Sequence, residues 1–351
     1  MTVKIFGYYG HRNAGDEAFA LFFEKVFGRH GVEFLHDRSQ REEVDRIILG
    51  GGSVINSYFI NKLPTFSMLD IIGCSFDGSD RGLQHLERLS ANLGIVALRS
   101  RKDVEAARSK GINAEYFPDV VFGLKRPEPT MPFETVVKMG ELPTTRSRAP
   151  QTAVVLLSDH YSVPRSRDRE RSDVIEEWVD DLAVSFDEIS KDYNIIFAPM
   201  SVFYDARDYA FAHRVVRRMQ KPESVTLINR YLGPRIILDI ISSLADVVIS
   251  MRLHGLIFGM VCGKPVINIG DGQKNIDLMQ DSSLEEFSVT CSGILKSSLL
   301  SKVNSSDASR GLVEAVAQRN RAAVQPLILR LRDAYPSTFA RVRKRILAIS
   351  K

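Results

Sequence analysis

Short apolar runs alternate with helical patterns along most of this chain, which confines the fold to parallel sheets joined by crossover helices. Val3–Gly7 reads as a strand, Asp16–Phe27 as a helix and Arg46–Leu49 as a strand. Gly82–Asn92 then reads as a helix, Ile95–Leu98 as a strand, Asp103–Lys110 as a helix and Ala114–Phe117 as a strand. A second block repeats the alternation. Its predicted strands are Ala153–Leu157, Asn194–Ala198, Val225–Ile228, Leu244–Ile249 and Pro265–Ile269. Its predicted helices are Val174–Ser190, Ala206–Met219, Arg235–Ser243 and Leu256–Cys262. Between the blocks, Pro127, Pro129, Pro132, Pro143 and Pro150 dissolve the pattern, as expected of a linker. The sequence therefore predicts an α/β fold class with two Rossmann-like parallel-sheet domains, 1–125 and 151–320. A linker at 126–150 joins them and a helical segment follows at 321–351. At 351 residues the chain can bury a core in each domain.

Composition excludes several classes. Hydrophobic residues are 44% and charged residues 26%, an ordinary globular balance. No apolar run approaches the roughly 20 residues of a membrane span. Met1 leads straight into Val3-Lys4-Ile5-Phe6 without the apolar stretch of a signal peptide. Cys74, Cys262 and Cys291 lie far apart without metal-ligand spacing, which fits free thiols in a reducing cytoplasm. No metal site and no cofactor is predicted. The net charge of +4 is too small and too dispersed to indicate nucleic acid. The basic segment near Gln325–Leu347, which carries Arg330, Arg332, Arg341, Arg343, Lys344 and Arg345, is expected to be kinked or split by Pro336. Its charged face is either solvated or in peripheral contact with an anionic membrane surface. The run Arg165–Arg171 is either a solvated loop or an acceptor-binding rim.

The chemistry concentrates where strands give way to helices. Ser250-Met251-Arg252-Leu253-His254-Gly255 sits between a buried strand and an apolar helix. Ligands of open α/β sheets bind at such carboxyl ends, and the helix presents its unbonded N–H groups to the same place. An arginine, an imidazole and a helix N-terminus make an anion site from Arg252, Leu253, His254 and Gly255. Arg99 also follows a strand directly, and its fork suits a carboxylate or phosphate; Asp103 reads as the N-cap of the next helix. Lys274, after the strand Pro265–Ile269, is a candidate to reach the same anion.

Other strand ends carry candidates for lining the cleft. Gly7-Tyr8-Tyr9-Gly10-His11-Arg12-Asn13-Ala14-Gly15-Asp16-Glu17 matches neither a dinucleotide fingerprint nor a P-loop. Within it Gly10, His11, Asn13 and Asp16 are cleft candidates, with Asp16 alternatively a helix N-cap. Gly50-Gly51-Gly52-Ser53 follows a strand and reads either as a ligand-approach site, with Gly51, Gly52 and Ser53 in contact, or as a tight turn. Asp119 is either a turn residue or a cleft carboxylate.

These motifs, in this order, resemble the polysaccharide pyruvyl transferase family. The matching pieces are GYYGHRNAGDEA at 7–18, GGGS at 50–53, the arginine turn at 99 with Pro118-Asp119, SMRLHGLIFG at 250–259 with Gly263-Lys264-Pro265, and DGQK at 271–274. The family commonly follows the arginine with an acidic residue and then a serine or threonine, where this chain has Ser100 and Asp103. The resemblance implies a fold similar to the two-domain glycosyltransferase-B architecture. It implies transfer of the enolpyruvyl unit of phosphoenolpyruvate onto a sugar hydroxyl pair as a pyruvate ketal. Arg252 and His254 then map onto the donor-binding R-x-H element, with Arg99 as a further donor-site arginine and His254 as the proton donor. Asp16, Asp119 and Asp159 are the candidates for the base. The expected partners are a small-molecule donor and a glycan acceptor, free or lipid-linked. A nucleotide-sugar glycosyltransferase of the same fold and a non-catalytic scaffold for polysaccharide assembly are the alternatives.

Overall fold

Apolar strands that read as buried on both faces do lie in parallel sheets whose helices cover them. The protein is described from a computed structural model, which places residues 2–35, 43–76, 80–141, 149, 151–158, 170–202, 208–289 and 295–336. Asp159, Cys291, residues 165–169 of the basic run and the C-terminal basic residues Arg341, Arg343, Lys344 and Arg345 lie outside them.

The first sheet contains β1 (Val3–Phe6), β2 (Val32–Leu35), β3 (Val44–Ile55), β4 (Phe66–Phe76), β5 (Leu93–Leu98) and β6 (Ala114–Tyr116). Their spatial order is β2-β1-β3-β4-β5-β6 and every pairing is parallel. Four helices accompany them: α1 (Ala14–Phe27), α2 (Ser57–Ile60), α3 (Asp80–Arg88) and α4 (Arg101–Ser109). The chain reverses its direction of travel across the sheet between β1 and β3. Such a switch point opens a crevice at the carboxyl ends of the two strands.

A proline-rich stretch with the short α5 (Phe133–Val137) follows. It is tied down by the Ser242 hydroxyl donating to the Pro127 carbonyl at 2.7 Å and by the Met131 amide donating to Ser243 Oγ at 3.0 Å. The second sheet holds β7 (Gln151–Leu156), β8 (Tyr193–Phe197), β9 (Val225–Leu227), β10 (Val247–Ser250), β11 (Val266–Ile269) and β12 (Ser288–Val289). It is again all parallel, in the order β12-β11-β10-β7-β8-β9. That is the doubly wound dinucleotide-fold order, with its switch point between β7 and β10. The helices are α6 (Glu170–Ile189), α7 (Asp208–Arg218), α8 (Gly233–Leu244), α9 (Leu253–Val261), α10 (Gln273–Asp281), α11 (Leu295–Ser305) and α12 (Arg310–Ala334). No helix among the described residues is long and apolar enough to cross a membrane.

The chain divides into two compact units. One comprises Met1–His11, Asp16–Leu124 and Gln318–Lys351; the other comprises Arg12–Gly15 and Lys125–Ala317. The four residues at the head of α1 thus pack with the second sheet. In the first unit the last part of α12 is anchored by Tyr335, whose hydroxyl donates to Asp70 Oδ2 at 2.6 Å. Asp70 is fully buried and also takes Arg46 Nε at 2.7 Å and the Ile95 amide at 2.7 Å.

Several sequence expectations needed correction. Strands β2, β4 and β12 were not predicted. β4 hides its period because Asp70 and Ser75 sit in it fully or nearly buried, each satisfied by a partner from another strand. The glycine run lies inside β3, not after it, and Gly51 and Gly52 adopt φ of +76° and +78°. Gly51 has no room for a Cβ because the Phe19 ring of α1 lies against it, so this glycine serves helix packing. Asp16 is not the N-cap of α1. Asn13 stands there, and its Oδ1 accepts the Gly15 amide at 3.1 Å. Ser100, not Asp103, caps α4; Asp103 instead accepts the Phe76 amide at 3.0 Å. Leu244 closes α8, and α9 begins immediately after Arg252. The helical segment is split before Pro336, as expected: α12 ends at Ala334, Tyr335 is non-helical and Pro336 is helical again, whereas Pro326 is accommodated inside α12.

Candidate functional site

In the second unit the carboxyl ends of β7, β8 and β10 bring one arginine, one carboxylate and one histidine together. Strand β10 ends at Ser250, whose hydroxyl donates to the Arg252 carbonyl at 2.8 Å and accepts the Arg252 amide at 2.9 Å. This closed turn places Arg252 in extended conformation at the N-cap of α9, with φ −97° and ψ 130°. Leu253, His254 and Gly255 form the first turn of the helix; the Gly255 amide donates back to the Arg252 carbonyl at 3.0 Å, and the helix dipole at this end favours an anion.

Arg252 is held by a partner that the sequence reading did not name. Asp208, 1% exposed at the start of α7, accepts Arg252 Nε at 3.1 Å on Oδ2 and Arg252 Nη2 on Oδ1. The same Oδ2 takes the backbone amides of Met200 and Ser201 at 3.1 and 2.9 Å. Burial pushes the Asp208 carboxyl above the usual range, while Arg252, the Ser201 amide and the Ser158 hydroxyl pull it back. The two-toothed pair spends one edge of the guanidinium on Asp208 and leaves Nη1 without a protein partner among the described residues. The only sequence signal for Asp208 was an acid at a predicted helix start, which usually reads as a cap.

Three further contacts complete this place. Residues Arg12–Gly15 lie along the loop after β8: the Ala14 amide donates to the Met200 carbonyl at 2.7 Å and the Val202 amide to the Arg12 carbonyl at 3.3 Å. Asn13 and Ser201 form an antiparallel bridge. A Cβ on Gly15 would lie 2.5 Å from Nδ1 of His254 and 3.0 Å from its Cγ, so the histidine ring rests on the bare backbone of α1. The buried Asn275 of α10 donates to the Met251 carbonyl at 3.0 Å and to Asn268 Oδ1 at 2.9 Å. It fixes the peptide next to Arg252. Of the sequence candidates, Asn13, Arg252, Leu253, His254 and Gly255 meet here. Gly15, Ser158, Asp208 and Asn275 are additions. Lys274 is exposed in the first turn of α10.

The first unit carries a separate polar cluster at its own carboxyl edge. Arg99, which follows β5, donates from Nη1 to Asp119 Oδ2 at 2.8 Å and from Nε and Nη2 to Ser75 Oγ at 3.4 and 3.3 Å. Ser75 lies 3.2 Å from the Ser53 hydroxyl. The Arg99 and Asp119 side chains are 8% and 6% exposed, so each offsets the other's buried charge. Asp119 also accepts the Val121 amide at 3.0 Å as the cap of a short 3-10 turn. Ser53, Arg99 and Asp119 thus come together from three strand ends, with Ser75 as the link. Asp16 sits at the bare face of Gly52, where a Cβ would be 3.0 Å from its Oδ1. Gly10 is exposed with φ +77°, and its amide donates to Glu17 Oε1 at 2.7 Å.

Comparison with known proteins places this arrangement. No curated protein matches the sequence. Among solved structures the chain is similar to a candidate UDP-N-acetylglucosamine 2-epimerase from Listeria monocytogenes, at 10% identity over 96% of this chain and 98% of that one, with TM-score 0.55. It is also similar to Anabaena Alr3699/HepE, solved in complex with UDP-glucose, at 13% identity over 97% and 100%, with TM-score 0.50. At such identities these likenesses establish the fold, two parallel-sheet α/β domains of the glycosyltransferase-B kind. The sequence profile described as polysaccharide pyruvyl transferase matches residues 13–272. That span runs from Asn13 through Ser53, Arg99 and Asp119 to the R-x-H turn and Gly272, most of the chain, and the protein therefore belongs to the polysaccharide pyruvyl transferase family.

Proposed function

We propose that this protein transfers the pyruvyl unit of phosphoenolpyruvate to a pair of sugar hydroxyls, forming a pyruvate ketal on a glycan. The observation that carries the reading is the R-x-H turn at the switch point of the second sheet, inside the span that matches the family profile. Phosphoenolpyruvate presents a phosphate and a carboxylate. The N-terminal end of α9, through its dipole, and the Nη1 edge of Arg252 suit one of these groups. Asp208 makes that arginine a fixed donor, so its orientation costs little on binding.

In the reaction His254 delivers a proton to the methylene carbon, which becomes a methyl group. One sugar hydroxyl adds at the carbon bearing phosphate, phosphate leaves with the C–O electron pair, and the second hydroxyl closes the ketal. Of the two hydroxyl protons, one replaces the proton His254 gave up and the other leaves with phosphate. Asp16 and Asp119 are the described candidates for the base. The acceptor is a free or lipid-linked glycan, and no metal or cofactor enters these steps. The glycosyltransferase reading draws on the Anabaena likeness, whose protein was solved with UDP-glucose.

Ligand-induced stabilisation separates the readings. Phosphoenolpyruvate at about 100 times its dissociation constant raises the unfolding free energy by about 2.7 kcal/mol, and UDP does not. His254→Ala retains that stabilisation while phosphate release in the presence of glycan falls about 10²-fold or more. Stabilisation by UDP alone would establish the nucleotide-sugar reading, and stabilisation by neither ligand the scaffold reading.

A further inference from the structure

At the switch point of the first sheet, the chain carries a row of rings that the chemistry above does not use. Tyr58 in α2 is 60% exposed, the most exposed of the large apolar side chains among the described residues. It is nonetheless held. Lys62 Nζ lies 4.0 Å from its ring centroid and donates to its hydroxyl at 2.8 Å. Phe59 meets it edge-on at 5.1 Å and 82°. Phe59 in turn stands edge-on to Tyr8 at 6.1 Å, and Tyr8 stacks on His11 at 4.1 Å and 18°. Tyr8 follows β1 and Tyr58 follows β3, so the row borders the carboxyl-end crevice of the two strands between which the sheet order reverses. The N-cap of α2, Asn56, donates to the Ser53 carbonyl at 3.0 Å, which joins the row to the Ser53–Ser75–Arg99–Asp119 cluster.

Tyr8 and Phe59 pack on the core of the first unit, whereas Tyr58 stays exposed and is not part of that packing. A clamped, exposed tyrosine gives up rotamer freedom without gaining burial, and such rigid amphipathic rings are what binding surfaces use. The rims of the row are hydrogen-bonding groups: the hydroxyl of Tyr58, the ammonium of Lys62 and the imidazole of His11. An apolar face edged with donors and acceptors is the complement of a pyranose, which has a C–H face and a hydroxyl edge. We propose that Tyr58, Phe59, Tyr8 and His11 form the platform for a sugar ring of the acceptor glycan, with Tyr58 as the stacking ring and Lys62 as a donor to its hydroxyls. The ligand class rests on the pyruvyl-transfer reading; the platform itself rests on the rings.

Saturation-transfer NMR and calorimetry on the full chain test this. The probes are β-linked galactose, glucose and N-acetylglucosamine disaccharides to tetrasaccharides. At least one probe is expected to bind with saturation at its axial C–H protons. Tyr58→Ala should weaken that probe about tenfold, the size of one aromatic contact, and Tyr58→Phe, which keeps the ring, should stay within threefold. Stabilisation by phosphoenolpyruvate should be the same in Tyr58→Ala and the parent. Failure of every probe to bind the parent, or affinity in Tyr58→Ala within twofold of the parent, would overturn the platform. Sugar binding that depends on Tyr58 without any response to phosphoenolpyruvate would leave the platform standing and remove the donor reading alone.

Discussion

Replacing Gly15 by alanine isolates the contact between the head of α1 and His254. The added Cβ would stand 2.5 Å from Nδ1 and 3.0 Å from Cγ, where unstrained carbon contacts are about 3.5–4.0 Å. The imidazole must therefore retreat by about 1 Å. Two energies compete. Overpacking of this kind costs about 1–3 kcal/mol, while alanine in place of a helical glycine recovers about 1 kcal/mol. The net loss of stability is expected at about 0–2 kcal/mol, which leaves the fold intact. The functional cost is larger, because a reacting group misplaced by about 1 Å loses on the order of 10²-fold in rate. Urea melts, phosphate release from phosphoenolpyruvate in the presence of glycan, and the imidazole resonances of His254 measure the three effects. Gly311, at the second position of α12, is the control, since a Cβ there meets nothing within 4 Å. Gly311→Ala should gain about 0.5–1 kcal/mol and keep full turnover. If Gly15→Ala turned over within threefold of the parent with unshifted His254 resonances, the positioning role of Gly15 would be wrong.

Two further substitutions probe the buried carboxylates. Burial raises the Asp208 carboxyl above its usual 3.8, so the native state holds that proton more tightly than the unfolded chain. The stability from this group is therefore greatest below the ordinary value and is lost as pH rises through the raised one. Acidification into that window protonates Asp208 and releases Arg252. Affinity for phosphoenolpyruvate should then fall on the acid side at pH above 3.8, and Asp208→Asn should weaken binding at neutral pH and flatten that limb in a pH series by calorimetry. Tyr335→Phe removes the 2.6 Å hydrogen bond to the buried Asp70. It should cost about 1.5–3 kcal/mol in urea unfolding without changing the affinity for phosphoenolpyruvate.

The alternation of strand and helix was legible because it depends on short-range period and on glycines and prolines at element ends. The strands that escaped notice are those whose polar residues are satisfied elsewhere. β4 reads as broken at Asp70 and Ser75 until Arg46, Tyr335, Arg99 and Ser53 supply their partners. Consecutive glycines suit a turn, so the sequence pattern sets the glycine run after its strand. Only the packing of Phe19 against Gly51 shows that they lie within β3.

By itself the sequence determined the fold class and the strand end at which Arg252 and His254 stand, because both are local: an apolar run, a turn, a helix start. The partners of those residues were decided by the tertiary structure. Asp208 reaches Arg252 because strand order sets the end of β8 only one strand away from that of β10, with β7 between them, and Gly15 reaches His254 because the head of α1 lies along the loop after β8. Neither adjacency has a period or spacing in the chain. Crossover topology decides which strand ends become neighbours, and with them which charge is balanced and which ring is held.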